Sequence, residues 1–271
     1  ASGDAYLVMP DVLIIGGGLA GLASAFHLAR AGASVTVVER DVCGRHASGL
    51  NAGGVRRVNR HPAEMPLAQL AQTLWPGLAE LLGRDVGHRA VGHLLVAEDD
   101  AEMERLRARN RHPCEHLLDA AELRDLCPGL ASHLRGALYA AEDGYAHPGL
   151  LAAAFRDAAE AAGTRILEST AVTALRREGV GWRVETGGGT FAAGLVVNAA
   201  GAWAGAVAAM AGEALPIEPQ APIASVTAPL PPVLRPVVQT LTRRLTLKQM
   251  PDGRAWIGGG HRAEMLPHGL A

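Results

Sequence analysis

The chain has 271 residues, 49% of them apolar and 19% charged, the make-up of a globular protein with a sizeable core and, at this length, two domains. Its 25 basic and 27 acidic residues leave a net charge of −2, and the arginines are spread along the chain, so composition gives no support to nucleic acid or acidic membrane partners and points to a small ligand. Cys43, Cys114 and Cys127 form no C-x-x-C pair and are odd in number, which argues against a disulfide framework and for a reducing compartment, the cytoplasm.

Residues 1–10 lack the basic and apolar regions of a secretory leader. The apolar run 11–15 stops at glycines and reads as a buried parallel strand. Leu19, Leu22, Phe26 and Ala29 then fall at helical spacing, Gly32 ends that helix, and 34–39 is a second strand, completing a βαβ unit. After a Gly- and Arg-rich loop, Leu67, Leu70, Leu74, Leu78 and Leu81 mark one face of a longer helix that runs past Pro76, and core packing is the expected use of that face. A strand over 90–97, a charged helix over 101–110 and a short helix over 119–126 interrupt the α/β rhythm. The rhythm returns with a helix over 149–162, strands at 165–167 and 171–176, a hairpin at Gly187-Gly188-Gly189 and a strand over 195–198. The uncharged stretch 194–212 is rich in Ala and Gly and broken by Asn198, so it predicts a buried strand-turn-helix rather than a membrane span. From Pro216 onward prolines and short strands dominate, at 223–227, 244–249 and 255–258, with Asp252-Gly253 as a hairpin turn. The predicted fold is α/β. A Rossmann-type dinucleotide-binding domain comes from 1–88 and 143–215, and a second, antiparallel-sheet-rich domain comes from 89–142 and 216–271.

The chemistry begins at Gly16-Gly17-Gly18-Leu19-Ala20-Gly21. Between a strand and a helix, Gly16 permits the tight turn, Gly18 lets a pyrophosphate approach the backbone, and Gly21 allows close helix–strand packing. The helix start at Leu19 and Ala20 supplies N–H donors and a favourable dipole. Glu39, ending the second strand, suits a ribose 2′-hydroxyl and disfavours the 2′-phosphate of NADP. The turn alone does not separate FAD from NAD, because both use the same ADP-binding logic.

Four segments carry a resemblance across nearly the whole chain. They are the glycine turn with Glu39-Arg40; 47–54, Ala-Ser-Gly-Leu-Asn-Ala-Gly-Gly; 143–150, Asp-Gly-Tyr-Ala-His-Pro-Gly-Leu; and 196–203, Val-Val-Asn-Ala-Ala-Gly-Ala-Trp. In these the sequence resembles the D-amino-acid oxidase, glycine oxidase and sarcosine oxidase superfamily of flavoproteins. The resemblance implies that FAD is the cofactor and that the loop after the second strand follows its pyrophosphate to the flavin ring, through Arg40, Ser48, Asn51, Ala52 and Gly53. It also implies a backbone contact to adenine from the strand holding Val172 and a return to the cofactor at Ala200 and Gly201. Trp203 is either a direct contact or an aromatic packed behind the turn. Family members continue further, so the resemblance implies an incomplete substrate domain here.

Arg56 is the candidate to hold a substrate carboxylate or tune the flavin, with Arg57 and Arg60 as competitors, since a guanidinium fork matches a carboxylate. His261 is a candidate for the substrate side; His46 lies where some relatives attach flavin covalently, but the match is loose and no covalent link is expected. His112 and His116 are four apart, but Pro113 breaks the helix that would align them, so no metal site is expected. No G-x-S-x-G elbow, P-loop or H-E-x-x-H pattern is present. The expected activity is oxidation of a small amine or amino acid by hydride transfer to flavin N5. The alternatives are a flavin-holding or electron-transfer subunit that needs partner chains or a homo-oligomer, and an NAD-dependent dehydrogenase.

Overall fold

The computed structural model describes residues 9–109, 112–259 and 261–264. Val12–Ile15 and Val35–Val38 are buried at every position, as unalternating aliphatic strands must be when both faces are covered. They pair in parallel, with Leu195–Asn198 outside the first and Arg165–Leu167 outside the second. Helices Leu19–Arg30 and Pro148–Ala161 cover one face, where Leu22, Phe26, Leu151 and Phe155 pack on Val12, Ile14 and Val37. The opposite face meets a three-stranded antiparallel sheet, Val172–Glu178, Gly181–Thr186 and Gly189–Ala193. Its Leu175, Val184 and Phe191 reach Leu13, Ile15 and Val38. Each such buried side chain contributes about 1.5–3 kcal/mol of transfer free energy.

A second, seven-stranded sheet runs in the order Ser225–Pro229, Arg254–Gly258, Thr246–Gln249, Val237–Thr240, His93–Ala97, Gly136–Ala140, His116–Asp119. All its neighbours are antiparallel except one pair, Val237–Thr240 beside His93–Ala97. That junction joins stretches of chain lying before and after the parallel sheet's later strands, so the mixed sheet is assembled from distant parts of the sequence. Asp100–Ala108 packs Met103 and Leu106 on one face against Leu95 and Leu138, and Ala120–Leu126 packs Leu123 on the other against Leu94 and Ala137. Both helices start at an aspartate cap, and Asp119 forms a full capping box with Glu122. No helix among the described residues is long and apolar enough to cross a membrane.

The leucine stripe departs from the prediction. Pro76 turns the chain, and the helix divides into Met65–Leu74, a 3-10 turn at Trp75–Gly77 and Leu78–Leu82. Leu67, Leu70 and Leu74 are 73%, 58% and 60% exposed, and Leu81 is 43% exposed. The inward side carries Ala68, Ala71 and two glutamines instead. The Gln72 amide donates to the Glu142 carbonyl at 2.6 Å, and the Gln69 amide meets the His112 ring. Helical spacing located the stripe, but these polar anchors on the other side decide which face turns in. Three strands, His116–Asp119, Gly136–Ala140 and Val237–Thr240, had no predicted counterpart, being four or five residues long without apolar alternation.

Asp143, fully buried, ties the arginine loop to the rest of the molecule. Its Oδ2 accepts from the Arg57 and Val58 N–H groups at 2.7 and 2.9 Å, and its Oδ1 from Arg57 Nε at 3.2 Å. Replacing Asp143 with Ala leaves two backbone N–H groups and the Arg57 Nε–H unpaired, with Glu142 the only carboxylate left on the buried guanidinium. The expected loss is about 3–5 kcal/mol of unfolding free energy by denaturant titration.

Candidate active site

Gly16 has φ +114°, and a Cβ there would lie 2.5 Å from the Ala199 carbonyl oxygen; one on Gly21 would lie 2.0 Å from the Gly16 oxygen. These two glycines serve the chain's own packing, bringing the helix start against the ends of two strands. Gly18 is different. Its φ of −77° and ψ of 177° suit any residue, and a Cβ would meet only Ser48 Oγ, at 3.0 Å. No internal contact demands glycine there, so the bare backbone is an opening toward a ligand. The helix it precedes has no side-chain cap of its own and no acid in its first turn. Leu19 N–H donates to Ser48 Oγ at 2.8 Å. A helix N-terminus behind a glycine, with only its first N–H taken up by Ser48, is what a pyrophosphate needs.

Glu39 sits at the mouth of this turn. Its Oε2 accepts from Gly17 N–H at 2.7 Å and its Oε1 from Asp41 N–H at 2.9 Å, so the carboxylate is held in place with lone pairs left for ribose hydroxyls. The Glu39 carbonyl accepts from Thr170 N–H at 2.7 Å, which brings the start of the strand holding Val172 to the same edge. On the other side Ala199 N–H donates to Ile15 O at 2.9 Å. Asn198 knits the following turn, accepting from Ala200 N–H at 3.3 Å and donating to the Ala204 carbonyl at 2.8 Å. Trp203, in that turn, has the Arg40 guanidinium 3.7 Å over its ring and His46 edge-on at 5.0 Å. These residues fit an ADP-bearing dinucleotide, and they fit FAD because the loop 47–54 continues from Ser48 away from the turn.

Asn51 caps the short helix Ala47–Leu50 by donating to the Ala47 and Ser48 carbonyls, and its Oδ1 accepts from Gly53 N–H at 2.6 Å. Gly53 itself lies so close to Ala146 that an added Cβ would be 2.1 Å from the Ala146 oxygen. The three competing arginines separate clearly. Arg57 is buried and engaged: Glu142 and Asp143 raise its pKa against the opposing effect of burial. Arg56 and Arg60 line a cavity instead. Burial first, and then the neighbouring Arg60 charge, lower the Arg56 pKa.

That cavity, about 320 Å³, lies between the loop 51–54 and the mixed sheet, which contributes His93, Val237, Gln239, Thr246 and Lys248. No aspartate or glutamate lines it. Lys248 is 3% exposed; its ammonium donates to the Ala52 carbonyl and lies 4.6 Å over the Tyr145 ring. Desolvation by burial lowers its pKa to about 8. His93 is 1% exposed, and neither ring nitrogen has a hydrogen-bond partner among the described residues. Burial, then the Arg56 charge, pushes its pKa down to about 3; Gln239, which opposes that shift, comes near without hydrogen-bond geometry. Sequence reasoning missed both residues, since a lone Lys or His in a strand carries no motif. A second cavity of about 330 Å³ shares Gly54, Arg56 and Arg60 with the first and is walled by Glu64, Leu67, Ala68, Ala71, Gln72 and Trp75.

His261 is not brought to this cavity. It is exposed, and its carbonyl accepts from Ile223 N–H at 3.0 Å. His112 Nδ1 lies 3.1 Å from Cys114 Sγ, while His116 begins an edge strand. Among the described residues no group of three or more His, Cys, Asp and Glu is placed to hold a metal ion.

Gly18→Ala is expected to fold, with Ser48 giving by a few tenths of an ångström, yet to weaken FAD binding about tenfold or more in a fluorescence titration. Lys248 gives a pH signature. Its folded pKa of about 8 lies below the ordinary 10.5, so the unfolded chain binds more protons between those values and stability rises with pH across that window. Its desolvation cost is fully present below about pH 8. Lys248→Met should remove up to one proton from that slope, read from guanidinium titrations at a series of pH values.

The family model for FAD dependent oxidoreductases of the DAO type matches residues 11–269. A glycine oxidase from Geobacillus kaustophilus is 35% identical over 235 residues, covering 82% of this chain and 62% of that protein. Sarcosine oxidase subunit beta from Rhodobacter capsulatus is 28% identical over 265 residues, covering 92% of this chain and 64% of its own length. The chain thus spans under two thirds of these curated relatives. The crystal structure of glycine oxidase from Geobacillus kaustophilus superposes with a TM-score of 0.87 at 30% identity, covering 95% of this chain and 73% of that one. The open backbone at Gly18, the fixed Glu39 carboxylate and the shared fold agree with this match, and the chain belongs to the DAO family of FAD-dependent oxidoreductases.

Proposed function

We propose that the protein oxidises the C–N bond of a small amino acid or carboxylated amine. The segments 1–88 and 143–215 hold FAD, and 89–142 and 216–271 form the substrate side. The single observation that carries this reading is the cavity beside the loop 51–54, in which Arg56, Arg60 and Lys248 meet with no carboxylate among them. Three cations sharing a partly desolvated space favour an anionic ligand, and the chain's relatives include proteins named glycine oxidase and sarcosine oxidase subunit beta.

In this reading Arg56 and Arg60 fix the substrate carboxylate and thereby the orientation of the carbon that bears the amine. FAD held there would supply the two-electron oxidant, taking up a hydride from that carbon so that the C–N bond becomes an imine. The substrate nitrogen gives up its proton, and water then hydrolyses the imine to an oxo acid and an amine. The surrounding cations disfavour an ammonium in the cavity, so the substrate binds with its nitrogen neutral and its lone pair available. Gly16, Gly18, Leu19, Ala20, Gly21, Glu39, Arg40, Ser48, Asn51, Ala52, Gly53, Val172, Ala200 and Gly201 hold the cofactor; Trp203 braces Arg40.

A second reading, a flavin-holding subunit completed by partner chains, is favoured by the exposed Leu67, Leu70 and Leu74 edge. The two separate in one experiment: FAD is added to the purified chain, and candidate amino acids are added without oxygen. Bleaching of the flavin absorbance supports the first reading; a stable flavin spectrum that no amino acid bleaches supports the second. Arg56→Met is expected to raise KM for carboxylated substrates about tenfold or more, with a smaller change in kcat.

A further inference from the structure

The cavity explains its cations as carboxylate ligands, but it does not so explain His93. Of the described residues, His93 is the one whose two side-chain nitrogens are both buried without a partner. It stands at the start of the strand His93–Ala97, in the sheet beside Val237, and it shares the cavity wall with Gln239 and Lys248. A neutral imidazole offers one N–H and one lone pair, and leaving either unmet in a buried site costs about 1–3 kcal/mol. Leucine would fill such a position without that cost. The neighbouring cations Arg56, Arg60 and Lys248 supply only donors, so nothing on their side can accept the imidazole N–H, and their charge keeps the ring from gaining a second proton.

We propose that His93 is the group that reads the substrate's amine: its ring lone pair accepts the amine N–H, while the arginines hold the carboxylate at the other end of the same molecule. This rests on the carboxylate reading given above. A ligand of this class supplies what the site lacks. Its neutral amine donates to the imidazole lone pair, and its carboxylate, engaged by the cations, adds a charged acceptor to a cavity without acidic side chains. His93 therefore sets specificity for a substrate that bears both groups, and holds the nitrogen so that its own lone pair is directed at the bond being oxidised.

The test uses the full chain loaded with FAD, with His93→Leu and His93→Gln, and two probes: acetate, which has the carboxylate alone, and sarcosine, which adds the amine. Acetate affinity is read from the flavin absorbance change, and sarcosine affinity from the concentration dependence of that change without oxygen. Thermal midpoints are taken on the FAD-free chains. His93→Leu should bind acetate within about twofold of the wild type and sarcosine about tenfold more weakly, with an unchanged or higher thermal midpoint. His93→Gln, which keeps an acceptor, should recover part of the sarcosine affinity. Equal loss of both probes, or loss of neither, overturns the assignment while leaving the carboxylate reading intact. A wild-type chain that takes up FAD but binds neither probe overturns the carboxylate reading and this inference with it. If His93→Leu fails to fold, sarcosine binding by His93→Gln equal to that of a folded His93→Phe decides against the inference.

Discussion

Burial of the Asp143 carboxylate under the arginine loop is the interaction on which the site depends. Asp143 accepts from two consecutive backbone N–H groups and from the Arg57 side chain, while its own carbonyl takes the Gly92 N–H at 2.8 Å. The residues after it pair with Gly54 and Val55 and with Arg89. One acidic residue thus fixes the loop carrying Arg56 and Arg60 relative to the strand carrying His93, which begins just after Gly92. Lys248, from the far part of the mixed sheet, grips the same loop at Ala52. With one arginine neutralised and the other two left facing the cavity, the loop divides its positive charge between structure and ligand binding.

Electrostatics in the cavity follow from that division. Arg57 has two carboxylates within 3.2 Å, whereas Arg60 reaches Glu64 only at 3.7 Å, in the adjoining cavity, and Arg56 spends one N–H on the Val58 carbonyl. Burial lowers the pKa of Arg56, Lys248 and His93 in the same direction, each by making the charged form costly. An arginine stays charged under this pressure because its guanidinium is so basic; a lysine comes near neutrality, and a histidine is fully neutral. A single low-dielectric pocket therefore yields guanidinium cations, one titratable amine and one neutral imidazole, three different chemical roles from one physical cause.

Local signals read well from the sequence, and long-range ones did not. The glycine turn, the strand that ends in Glu39 and the helix after it are set by residues adjacent in the chain, and they formed at Val12–Ile15, Leu19–Arg30 and Val35–Val38. The loop 47–54 was legible through its small residues, which tolerate the approach of Ala146 and of the helix start. Choosing among Arg56, Arg57 and Arg60 was not possible from spacing, because the choice is made by Asp143, more than eighty residues away. Lys248 and His93 join the site only when Val237–Thr240 aligns with His93–Ala97, a pairing that neither short strand announces. The leucine stripe failed for the same reason: periodicity marks a face, and contacts from elsewhere, here Glu142 and His112, decide whether it is buried.

The two kinds of glycine in the turn give the same lesson on a smaller scale. A Cβ on Gly16 or Gly21 strikes the protein's own backbone, so those positions report on folding; a Cβ on Gly18 strikes one movable hydroxyl, so that position reports on something the chain binds. His93 stands to the mixed sheet as Gly18 stands to the parallel one. Each is a residue whose own fold would accept a more stabilising alternative, a capping Ser or Asn for the glycine at its N-cap position and an apolar side chain for the histidine. Such local losses persist only where a compensating network carries the fold, and the Asp143 cluster is placed to do so for the loop between them. The cofactor turn and the cavity wall are joined through the loop between them, held at Ser48 by the helix start and at Arg57 and Val58 by the buried Asp143 carboxylate.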